Sequence, residues 1–384
     1  MMKKIVHVAY NHSFDDTRIL HKECVTLQKS GLYNVTYVTS SKNSQGACSE
    51  YNNIKIHILK VKEEKNRVVR ILRYNSMLKK ILLKYDADIY HFHEITLMPV
   101  MLYLKRKNKK TIYDMHESDV EDLENTLKKK LGVIVARAIC FFVKIYEEKG
   151  IKKSDGFIYV TPQFERQNCA TKSLLLPNFP IIDNAVGFVS QNDFSQKEKE
   201  LCFAGNISDL WNIRRIIELL PDIENARFNL AGRATAEYEN EIRSLPGWTK
   251  VNYYGLLPFS DVKKIYDKSR IGMAIVRLTS ESDYKGTLGN NKIYEFMQAG
   301  LPVICSRTAI WKEMIEKYNC GICVDPSDTL EITEAINYLL NNEATAFEMG
   351  QNSLKAIAQE YNWNILGEKL LDFYNELLTE VKYG

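Results

Sequence analysis

A small loop and the helical pattern behind it carry the clearest chemistry in the second half of the chain. The loop ends with Gly289, Asn290 and Asn291. Gly and Asn tolerate the backbone angles that turn several amide N–H groups toward one point. A helix N-terminus behind such a loop adds its partial positive charge. The stretch therefore predicts an anion site.

Two charged residues open the helical pattern, Lys292 and, three positions later, Glu295. Residues three apart share one face of a helix. A lysine supplies a full positive charge for a phosphate, and a carboxylate can accept hydrogen bonds from the vicinal hydroxyls of a ribose. Together they predict half of a nucleotide-diphosphate site. An ordinary turn and helix punctuated by Gly would have the same local pattern.

Alternating strands and helices must position this stretch. The predicted strands are 3–10, 35–39, 54–59, 88–93, 110–116, 155–161, 172–176, 201–205, 226–231, 251–254, 271–276, 302–305 and 321–324. Between the strands of the second half, helices are predicted near 212–220, 236–244, 260–268, 292–299, 309–317 and 328–341. The polar residues 41–53 are predicted to form a loop. This order predicts an α/β protein with two Rossmann-like, doubly wound parallel sheets whose strand ends face a central cleft.

The length of 384 residues predicts more than one domain. We place one domain at 1–180, a second at 181–362, and a terminal amphipathic helix at 363–384 that could pack on either. A net charge of +4 is too small to indicate nucleic-acid binding. No apolar run reaches transmembrane length, no signal peptide precedes the first strand, and the cysteines are scattered. These features predict a cytoplasmic protein.

Polar residues also follow the predicted strands of the first half. His93 and Glu94 end one strand, and a buried imidazole there needs hydrogen-bond partners, so His93 is either a satisfied core residue or part of a site. His116 and Glu117 either orient a substrate or cap a loop. In the loop after the first strand, Asp16 or Arg18 could close over phosphates, or the two could form an internal ion pair.

Metal-binding spacing is absent from the positions where a site is expected. Asp86 and Asp88 resemble a metal-binding Asp-x-Asp, but they precede a strand and should lie at the wrong end of the sheet. No other set of His, Cys and carboxylates has metal spacing, so we expect no metal and no cofactor.

Two basic, apolar segments allow contact with a membrane surface. Residues 128–144 are too short and too charged to span a bilayer, but together with 62–84 they could lie on an anionic membrane. The alternative is that 128–144 is a core helix with a basic outer edge. Both interpretations remain open at this point.

The second half of the chain resembles the retaining GT-B-fold glycosyltransferases of family 4 (glycosyl transferases group 1). The similarity lies in NNKIYEFMQAGLPVI, preceded by GMAIVRL and followed by NCGICVDPSD. In the first half, HFHE at 91–94, YDMHE at 113–117 and DDTRI at 15–19 with Lys22-Glu23 are similar to segments of the same family. Pro177-Asn178 matches the family's domain boundary, and the helix near Trp363 matches its crossing helix, which returns to the first domain.

This resemblance implies a GT-B fold with an acceptor domain followed by a nucleotide-sugar domain. It further implies transfer, with retention of configuration, from a nucleotide-diphosphate sugar, most often a UDP-sugar, to a saccharide or lipid-linked saccharide of bacterial surface polysaccharide synthesis. His93 would lie near the reacting sugar. The expected catalytic residues are His93, Glu94 and Lys292; the expected donor-binding residues are Asn206, Arg233, Gly289, Asn290, Asn291, Lys292 and Glu295; and the expected acceptor or loop residues are Asp16, Arg18, His116 and Glu117.

Two departures from the family pattern bear on these roles. Thr287 stands where the family usually has the first glutamate of a pair, which would contact the donor sugar. Asn206 and Trp211 stand where many members have the Arg and Lys of a phosphate clamp. Lys292 is the leading substitute, and the weaker candidates are Arg233, Arg214 and Arg277. A nucleotide-sugar 2-epimerase and an inactive nucleotide-sugar-binding protein are the alternative functions.

Overall fold

The computed structural model describes residues 2–10, 12–41, 47–61, 66–116, 119–165, 171–182 and 190–379. The chain divides into two compact units. The first unit consists of Met1–Asn178 and Asn364–Gly384, and the second of Phe179–Trp363. Among the described residues no helix combines the length and the apolar character needed to cross a membrane.

The first unit is built on a sheet of eight strands. The strands are β1 Lys3–Val8, β2 Tyr33–Ser41, β3 Ala47–Tyr51, β4 Ile54–Lys60, β5 Ile89–Phe92, β6 Lys110–Met115, β7 Gly156–Tyr159 and β8 Lys172–Leu175. The helices are a π-helical segment Thr17–Cys24, α1 Val25–Lys29, α2 Arg67–Tyr85, a 3-10 turn Ile95–Leu97, α3 Met98–Lys105, α4 Asp119–Leu131, α5 Val133–Lys153 and a 3-10 turn Pro162–Phe164.

The strand order of this sheet is β3-β4-β2-β1-β5-β6-β7-β8. All pairs are parallel except β3 with β4. The prediction of a loop over 41–53 is therefore wrong for Ala47–Tyr51. Every residue of β3 is exposed, so the strand depends on pairing with β4 and has no apolar alternation to reveal it. The order reverses at β1, and the loops after β1 and β5 thus flank a switch point where ligands commonly bind.

The two faces of the central strands have different character. Val6, Val8, Tyr90 and Phe92 belong to the apolar core on one face. Because successive side chains alternate between faces, His7 and His91 point to the opposite face. Both histidines are fully buried there.

The second unit contains a six-stranded, wholly parallel sheet of order β11-β10-β9-β12-β13-β14. Its elements are α6 Gln191–Ser195, β9 Glu200–Asn206, a 3-10 turn Asp209–Trp211, α7 Ile213–Leu219, a 3-10 turn Leu220–Asp222, β10 Arg227–Arg233, α8 Ala236–Arg243, a 3-10 segment Pro246–Lys250, β11 Val251–Gly255, α9 Phe259–Lys268, β12 Ile271–Ala274, α10 Glu281–Lys285, α11 Asn291–Gln298, β13 Val303–Ser306, α12 Ala309–Tyr318, β14 Gly321–Val324, α13 Thr329–Asn341 and α14 Glu343–Gln359. Here the order reverses between β9 and β12, so the loops that follow these two strands flank the switch point.

The last helix of the chain, α15, covers Trp363–Thr379. The N–H of Trp363 donates to the carbonyl of Pro180 in the second unit. From Asn364 onward the helix belongs to the first unit. There Tyr374 is fully buried, and Tyr33 Oη donates to Asn375 Oδ1 at 2.6 Å. The amphipathic sequence pattern of this helix did not show which domain it packs on. In the structure it is buried against the sheet of the first unit.

Candidate functional site

The N-terminus of α11 forms the centre of the predicted donor site. The Asn290 side chain caps this helix by accepting a hydrogen bond from the N–H of Lys292 at 3.1 Å. The first N–H groups of a helix lack intrahelical partners and carry partial positive charge. The N–H of Gly289 is already used inside the loop, where it donates to Thr287 Oγ1 at 3.0 Å. The anion-binding character therefore depends on the helix itself, which begins at Asn291.

Lys292 and Glu295 form an ion pair on the first turn of α11. Lys292 Nζ lies 3.0 Å from Glu295 Oε1 and 2.8 Å from Oε2. The buried Tyr266 hydroxyl donates to Glu295 Oε2 at 2.9 Å. Both charged side chains stay partly accessible. A carboxylate fixed by a tyrosine and facing a lysine is already oriented to accept further hydrogen bonds.

Two glycines at the ends of neighbouring strands leave room beside Lys292. A Cβ on Gly205 would lie 3.1 Å from Lys292 Cε, so the lysine stem packs over the end of β9. A Cβ on Gly232 would lie 1.7 Å from the Gly205 carbonyl oxygen, and its φ of +135° further disfavours any other residue. These glycines let the ends of β9 and β10 approach each other directly below the lysine.

Asn206 and Arg233 extend the same edge. They are register partners at the last positions of β9 and β10, and both are exposed. Among the described residues no carboxylate forms an ion pair with Arg233. Arg214, in contrast, pairs with Glu218 and Glu241, and Arg277 pairs with Asp209. Of the three arginines predicted as weaker substitutes for the phosphate clamp, Arg233 is thus the one whose charge is not already matched.

A second cluster of chemically active side chains lies in the first unit, on the polar face of its sheet. His7 and His91 are register partners in the parallel strands β1 and β5. His91 and His93 are two residues apart, as are Asp114 and His116 on β6 and the loop behind it, so each pair shares a face. We call the following residues the histidine cluster: His7, Arg18, Glu23, His91, His93, Asp114, His116 and Tyr374.

Hydrogen bonds connect the rings of this cluster into a chain. His93 Nε2 lies 2.9 Å from His7 Nδ1, and His93 Nδ1 lies 3.1 Å from His116 Nε2. His116 Nε2 also lies 2.9 Å from Asp114 Oδ2. The Tyr374 hydroxyl connects the other end, 2.7 Å from His91 Nδ1 and 3.3 Å from His7 Nε2. The cluster thereby attaches α15 to the sheet.

Arg18 is an internal residue of this cluster. Its guanidinium donates to both Asp114 oxygens, at 3.2 and 3.1 Å, and to the carbonyl of Leu176 at 2.8 Å. It also lies 3.0 Å from Glu23 Oε1. The residue is buried. Of the two alternatives, a loop residue over phosphates or an internal ion pair, the structure contains the ion pair, although the partner is Asp114 and not Asp16.

Asp16 has a separate, local role at the start of the π-helical segment. Its Oδ1 accepts hydrogen bonds from the N–H groups of Arg18 and Ile19, and His12 Nδ1 lies 3.1 Å from its Oδ2. Burial alone would raise the pKa of Asp16, but the hydrogen bonds from His12 and Ile19 lower it to about 2. Asp16 is therefore an ionised helix cap.

Burial governs the protonation of the cluster. Loss of solvent lowers the pKa of the four rings His7, His91, His93 and His116. The pKa of Asp114 would be raised by burial, yet the Arg18 guanidinium and His116 hold it well below its usual range. Burial and then the Asp114 carboxylate raise the pKa of Glu23 well above its usual range. At neutral pH the rings are neutral and Asp114 carries the charge that balances Arg18.

The structure places His93 below the surface and His116 nearer to it. The His93 side chain is fully buried, whereas His116 is 12% exposed. Glu94 is fixed at the end of β5, where its carboxylate accepts hydrogen bonds from the N–H of Tyr10 at 3.2 Å and from Thr96 Oγ1 at 3.1 Å. Glu117 lies outside the described residues. Among the four histidine rings of the cluster, His116 is therefore the one that can meet a ligand directly.

Sequence reasoning singled out His93 and His116 but missed His7, His91 and Asp114. The available signal was the spacing of two in HFH and DMH, because polar residues at alternate positions of buried strands must share a face. Glu23 and Tyr374 come from helices. Glu23 was marked only by the family resemblance, without a role in the site, and Tyr374 by no local pattern, since only packing brings these helices onto the sheet.

Comparisons with known proteins agree with this architecture. Residues 188–356, less than half of the chain, match the family model described as glycosyl transferases group 1. No curated protein matches the chain by sequence. A sucrose-phosphate synthase from Thermosynechococcus elongatus superposes with a TM-score of 0.73 at 14% identity, covering 98% of this chain and 99% of that one.

Two further solved structures contain sugar ligands. Anabaena Alr3699/HepE in complex with UDP and glucose has a TM-score of 0.68 at 10% identity, covering 97% of this chain and 100% of that one. An α,α-trehalose-phosphate synthase (UDP-forming) from Burkholderia xenovorans, in complex with glucose-6-phosphate, has a TM-score of 0.61 at 10% identity, covering 98% and 100%. The chain has the GT-B fold. The family match in the second unit and the GT-B neighbours together support a glycosyltransferase.

Proposed function

We propose that the protein is a retaining glycosyltransferase that moves a sugar from a UDP-sugar to a hydroxyl group of a saccharide or lipid-linked saccharide. The observation that carries this proposal is the Lys292–Glu295 pair on the first turn of α11, beside the glycine ends of β9 and β10. A cation, a helix N-terminus and an oriented carboxylate meet there within one helical turn. This combination suits a diphosphate attached to a ribose.

Donor binding then exchanges one set of partners for another. The diphosphate takes the Lys292 ammonium and the N-terminus of α11, and Arg233 adds charge from the end of β10. Released from Lys292, Glu295 accepts hydrogen bonds from the ribose hydroxyls while Tyr266 holds its second oxygen. As the bond to the sugar breaks, negative charge builds on the leaving diphosphate, and these positive groups stabilise it. No divalent ion is needed in this scheme.

In the first unit, His116 supplies the contact to the acceptor. Its ring is partly accessible, and the bond to Asp114 fixes its orientation. His93 is a positioning residue that acts through His116, because its own ring is buried. Glu94, fixed at the end of β5, is the neighbouring candidate for a hydrogen bond to an acceptor hydroxyl.

The choice of UDP is supported by the solved structures of the same fold. HepE is described in complex with UDP and glucose, and the trehalose-phosphate synthase is described as UDP-forming. Sugar and sugar-phosphate ligands in these neighbours also support a saccharide acceptor. Synthesis of a bacterial surface polysaccharide at the inner face of the cell membrane is the setting we propose.

A thermal-shift panel tests the donor site. UDP, GDP, ADP, TDP and CMP are added separately, each without metal and then with magnesium. A ligand that binds only the folded state raises Tm. We expect UDP to raise Tm without metal in the wild type and to lose most of this effect in Lys292→Met. Lys264→Met is the matched control, because Lys264 also forms an ion pair with a carboxylate three residues away in the second unit.

The outcomes separate the proposal from its rivals. A shift that is equal in Lys292→Met and in the control would remove Lys292 from the site. Binding of UDP-sugar followed by epimerisation of the donor alone would indicate a 2-epimerase, and binding without any turnover would indicate a binding protein. Transfer to an acceptor with an unchanged anomeric configuration, read by NMR of the product, would support a retaining transferase.

The first half of α5 presents an exposed apolar surface in the first unit. Ile134 is 85% exposed, Phe142 68% and Phe141 61%. Only Ala136 and Cys140 are buried between Val133 and Phe142. The interpretation of 128–144 as a core helix is therefore wrong.

Basic residues surround this surface, and α2 has features of the same kind. The cations near α5 are Lys128, Lys129, Lys130, Arg137 and Lys144. On α2, the side chains of Val68 and Leu72 are exposed among basic neighbours. Apolar side chains bordered by cations suit the surface of an anionic membrane. We propose peripheral contact there, which would bring the enzyme to a lipid-linked acceptor.

Vesicle co-sedimentation tests this contact. We expect wild type to bind vesicles rich in phosphatidylglycerol more strongly than phosphatidylcholine vesicles. The double variant Phe141→Ser, Phe142→Ser should lose this binding at unchanged Tm, because both side chains are already exposed. Leu330→Ser, which changes an exposed leucine in the second unit, serves as control. Equal sedimentation of the double variant and the wild type would contradict the proposal.

A further inference from the structure

The histidine cluster contains a set of side chains with the composition of a metal site. We propose that Glu23, His93, Asp114 and His116 bind one transition-metal dication of the Zn²⁺ class in the first unit. One ligand atom from each of these residues lies within 4.8 Å of every other. Imidazole and carboxylate are the usual nitrogen and oxygen ligands of Zn²⁺. These four residues belong to the first unit, whereas the donor loop belongs to the second.

Distances among three of the ligand atoms support a common centre. His116 Nε2 lies 2.9 Å from Asp114 Oδ2 and 3.1 Å from His93 Nδ1, and His93 Nδ1 lies 3.6 Å from Asp114 Oδ2. Tetrahedral ligands at bond lengths of about 2.0–2.1 Å are about 3.3 Å apart. These three atoms therefore need to move little to bind one ion, and Glu23 supplies the fourth ligand.

Glu23 has the environment of a ligand without its metal. Its side chain is fully buried, its Oε1 lies 3.0 Å from Arg18 Nε, and a second buried carboxylate, Asp114, is within hydrogen-bonding reach. Two buried carboxylates this close to each other are costly to ionise together when a single guanidinium balances them. Arg18 is close to both Glu23 and Asp114, so one guanidinium faces two carboxylates. A dication between the carboxylates would supply the positive charge that a fully ionised cluster lacks.

The surroundings resemble the outer shell that metal-bound histidines require. His93 would bind through Nδ1 while its Nε2–H donates to His7 Nδ1 at 2.9 Å. Asp114 is held by Arg18, which is itself fixed by the carbonyl of Leu176. Such partners set the tautomer and the direction of the ligands. Most of these residues lie on or directly after strands of one sheet, so the site is rigid before any ion enters.

A second set in the same cluster, His7, Glu23, His91 and His93, also satisfies the distance condition. We assign the ion to the set with His116 because His116 is 12% exposed and offers an entry route, whereas the other set is entirely buried.

Metal content and a Co²⁺ spectrum test the assignment. The untagged full-length protein is stripped with a chelator, dialysed against Zn²⁺ or Co²⁺, and measured by mass spectrometry of the metal and by visible absorption. We expect one equivalent of Zn²⁺ and the intense d–d bands of four-coordinate Co²⁺. Zn²⁺ should also raise Tm of the stripped protein. Glu23→Gln and His116→Gln should each weaken binding by about tenfold or more.

Matched variants decide between the possible results. His21→Gln and His57→Gln remove histidines outside the cluster and should leave binding unchanged. His91→Gln should also retain the ion. If His91→Gln loses the metal and His116→Gln retains it, the ion is bound by the other set of residues and the assignment is wrong. A stripped wild type that takes up neither metal and shows no Tm shift would mean that the cluster is only a hydrogen-bonded chain. If Glu23→Gln fails to fold by circular dichroism, His116→Gln still decides, because its position is partly exposed.

The metal-binding measurements are made without any nucleotide. Loss of the UDP response in Lys292→Met with normal zinc uptake would concern the second unit only, and the reverse result would concern the metal site only. Failure of one proposal is thus distinguishable from failure of the other.

Discussion

At the scale of single residues, the proposed donor site depends on a carboxylate that would exchange one partner for another. Glu295 accepts from Tyr266 and pairs with Lys292 on the same helical turn. Because both partners are already in place, a ligand has to replace the lysine contact and need not build the geometry. In the proposed function, Glu295 is thus oriented before the ribose hydroxyls bind, and such preorganisation lowers the entropic cost of binding.

Glu295→Gln should weaken UDP binding by roughly 10- to 100-fold, since a hydrogen bond to a charged group contributes about 1.5–3 kcal/mol. The same substitution should change the affinity for 2′,3′-dideoxyuridine diphosphate much less, because that ligand has no hydroxyls for Glu295. Isothermal titration calorimetry measures both. Asp261→Asn, in the pair with Lys264, is the control. Equal losses for the two nucleotides would remove Glu295 from the ribose.

Asp16 provides a prediction about pH. Its folded pKa is lowered to about 2 from 3.8, so the unfolded chain binds its proton first as the pH falls. The stability that the charge contributes is therefore present above the unfolded pKa and is lost as the pH falls through the folded pKa. The difference is about 2 kcal/mol in the free energy of unfolding.

Urea unfolding of wild type and Asp16→Asn between pH 5 and pH 3 measures this effect. Asn keeps an oxygen for the helix cap but removes the charge. We expect the variant to be less stable at pH 5 and the gap to narrow toward pH 3. Asp15→Asn is the comparison variant: this neighbouring carboxylate is 63% exposed and pairs with His21. A constant gap would show that the charge of Asp16 does not stabilise the fold.

At the scale of elements, the contact between β12 and α11 fixes the direction of the helix that carries the proposed donor site. Gly272 in β12 allows this contact, because a Cβ there would lie 2.4 Å from Phe296 Cγ on α11. Val303 and Ile304 of β13 are fully buried next to it. The position of Lys292 thus depends on a close strand–helix approach 20 residues earlier in the chain.

Gly272→Ala should lower the stability by about 1–3 kcal/mol, the usual cost of overpacking a core. It should also weaken UDP binding, since α11 must shift to admit the methyl group. Differential scanning fluorimetry with and without UDP measures both effects. Gly255→Ala is the comparison: its positive φ disfavours alanine, yet nothing lies within 4 Å of the added Cβ. Normal UDP binding in a destabilised Gly272→Ala would show that α11 does not move.

At the scale of the whole molecule, the two units place their polar residues differently. In the second unit, the strand ends are followed by a surface loop and the N-terminus of a helix. The sheet of the first unit buries a polar network below its strand ends, and it recruits α15 from the far end of the chain to close it. Tyr374 is the link, because its hydroxyl contacts His91 and His7 while its ring packs near Tyr33.

Tyr374→Ala should destabilise the protein by about 3–5 kcal/mol, as for other large aromatic residues removed from a core. Tyr374→Phe keeps the ring and loses only the hydrogen bonds to the histidines, so its effect should be smaller. The affinity for UDP should stay within about twofold in Tyr374→Phe, because Tyr374 belongs to the first unit. Urea unfolding and calorimetry check these expectations. A stable Tyr374→Ala variant would mean that α15 contributes little to the first unit.

The sequence alone predicted the two doubly wound sheets and the shared helical face of Lys292 and Glu295. Both depend on short-range signals. Apolar runs of strand length alternate with helical periodicity, and Lys292 and Glu295 are close in space because they are close on one helix. Edge strand β3 and helix α14 were not predicted. The strand has no apolar alternation, and the helical pattern of α14 was not distinguished from the polar residues around it.

Tertiary structure decided the histidine cluster. His93 and His116 were visible as residues at strand ends, but their partners come from β1, β6, the π-helical segment and α15. Strand order and register, which no local pattern specifies, bring these elements onto one face. Packing also decided that Arg18 is internal and that α5 is exposed. The sequence determined which elements form, and burial between distant elements determined which of their side chains meet.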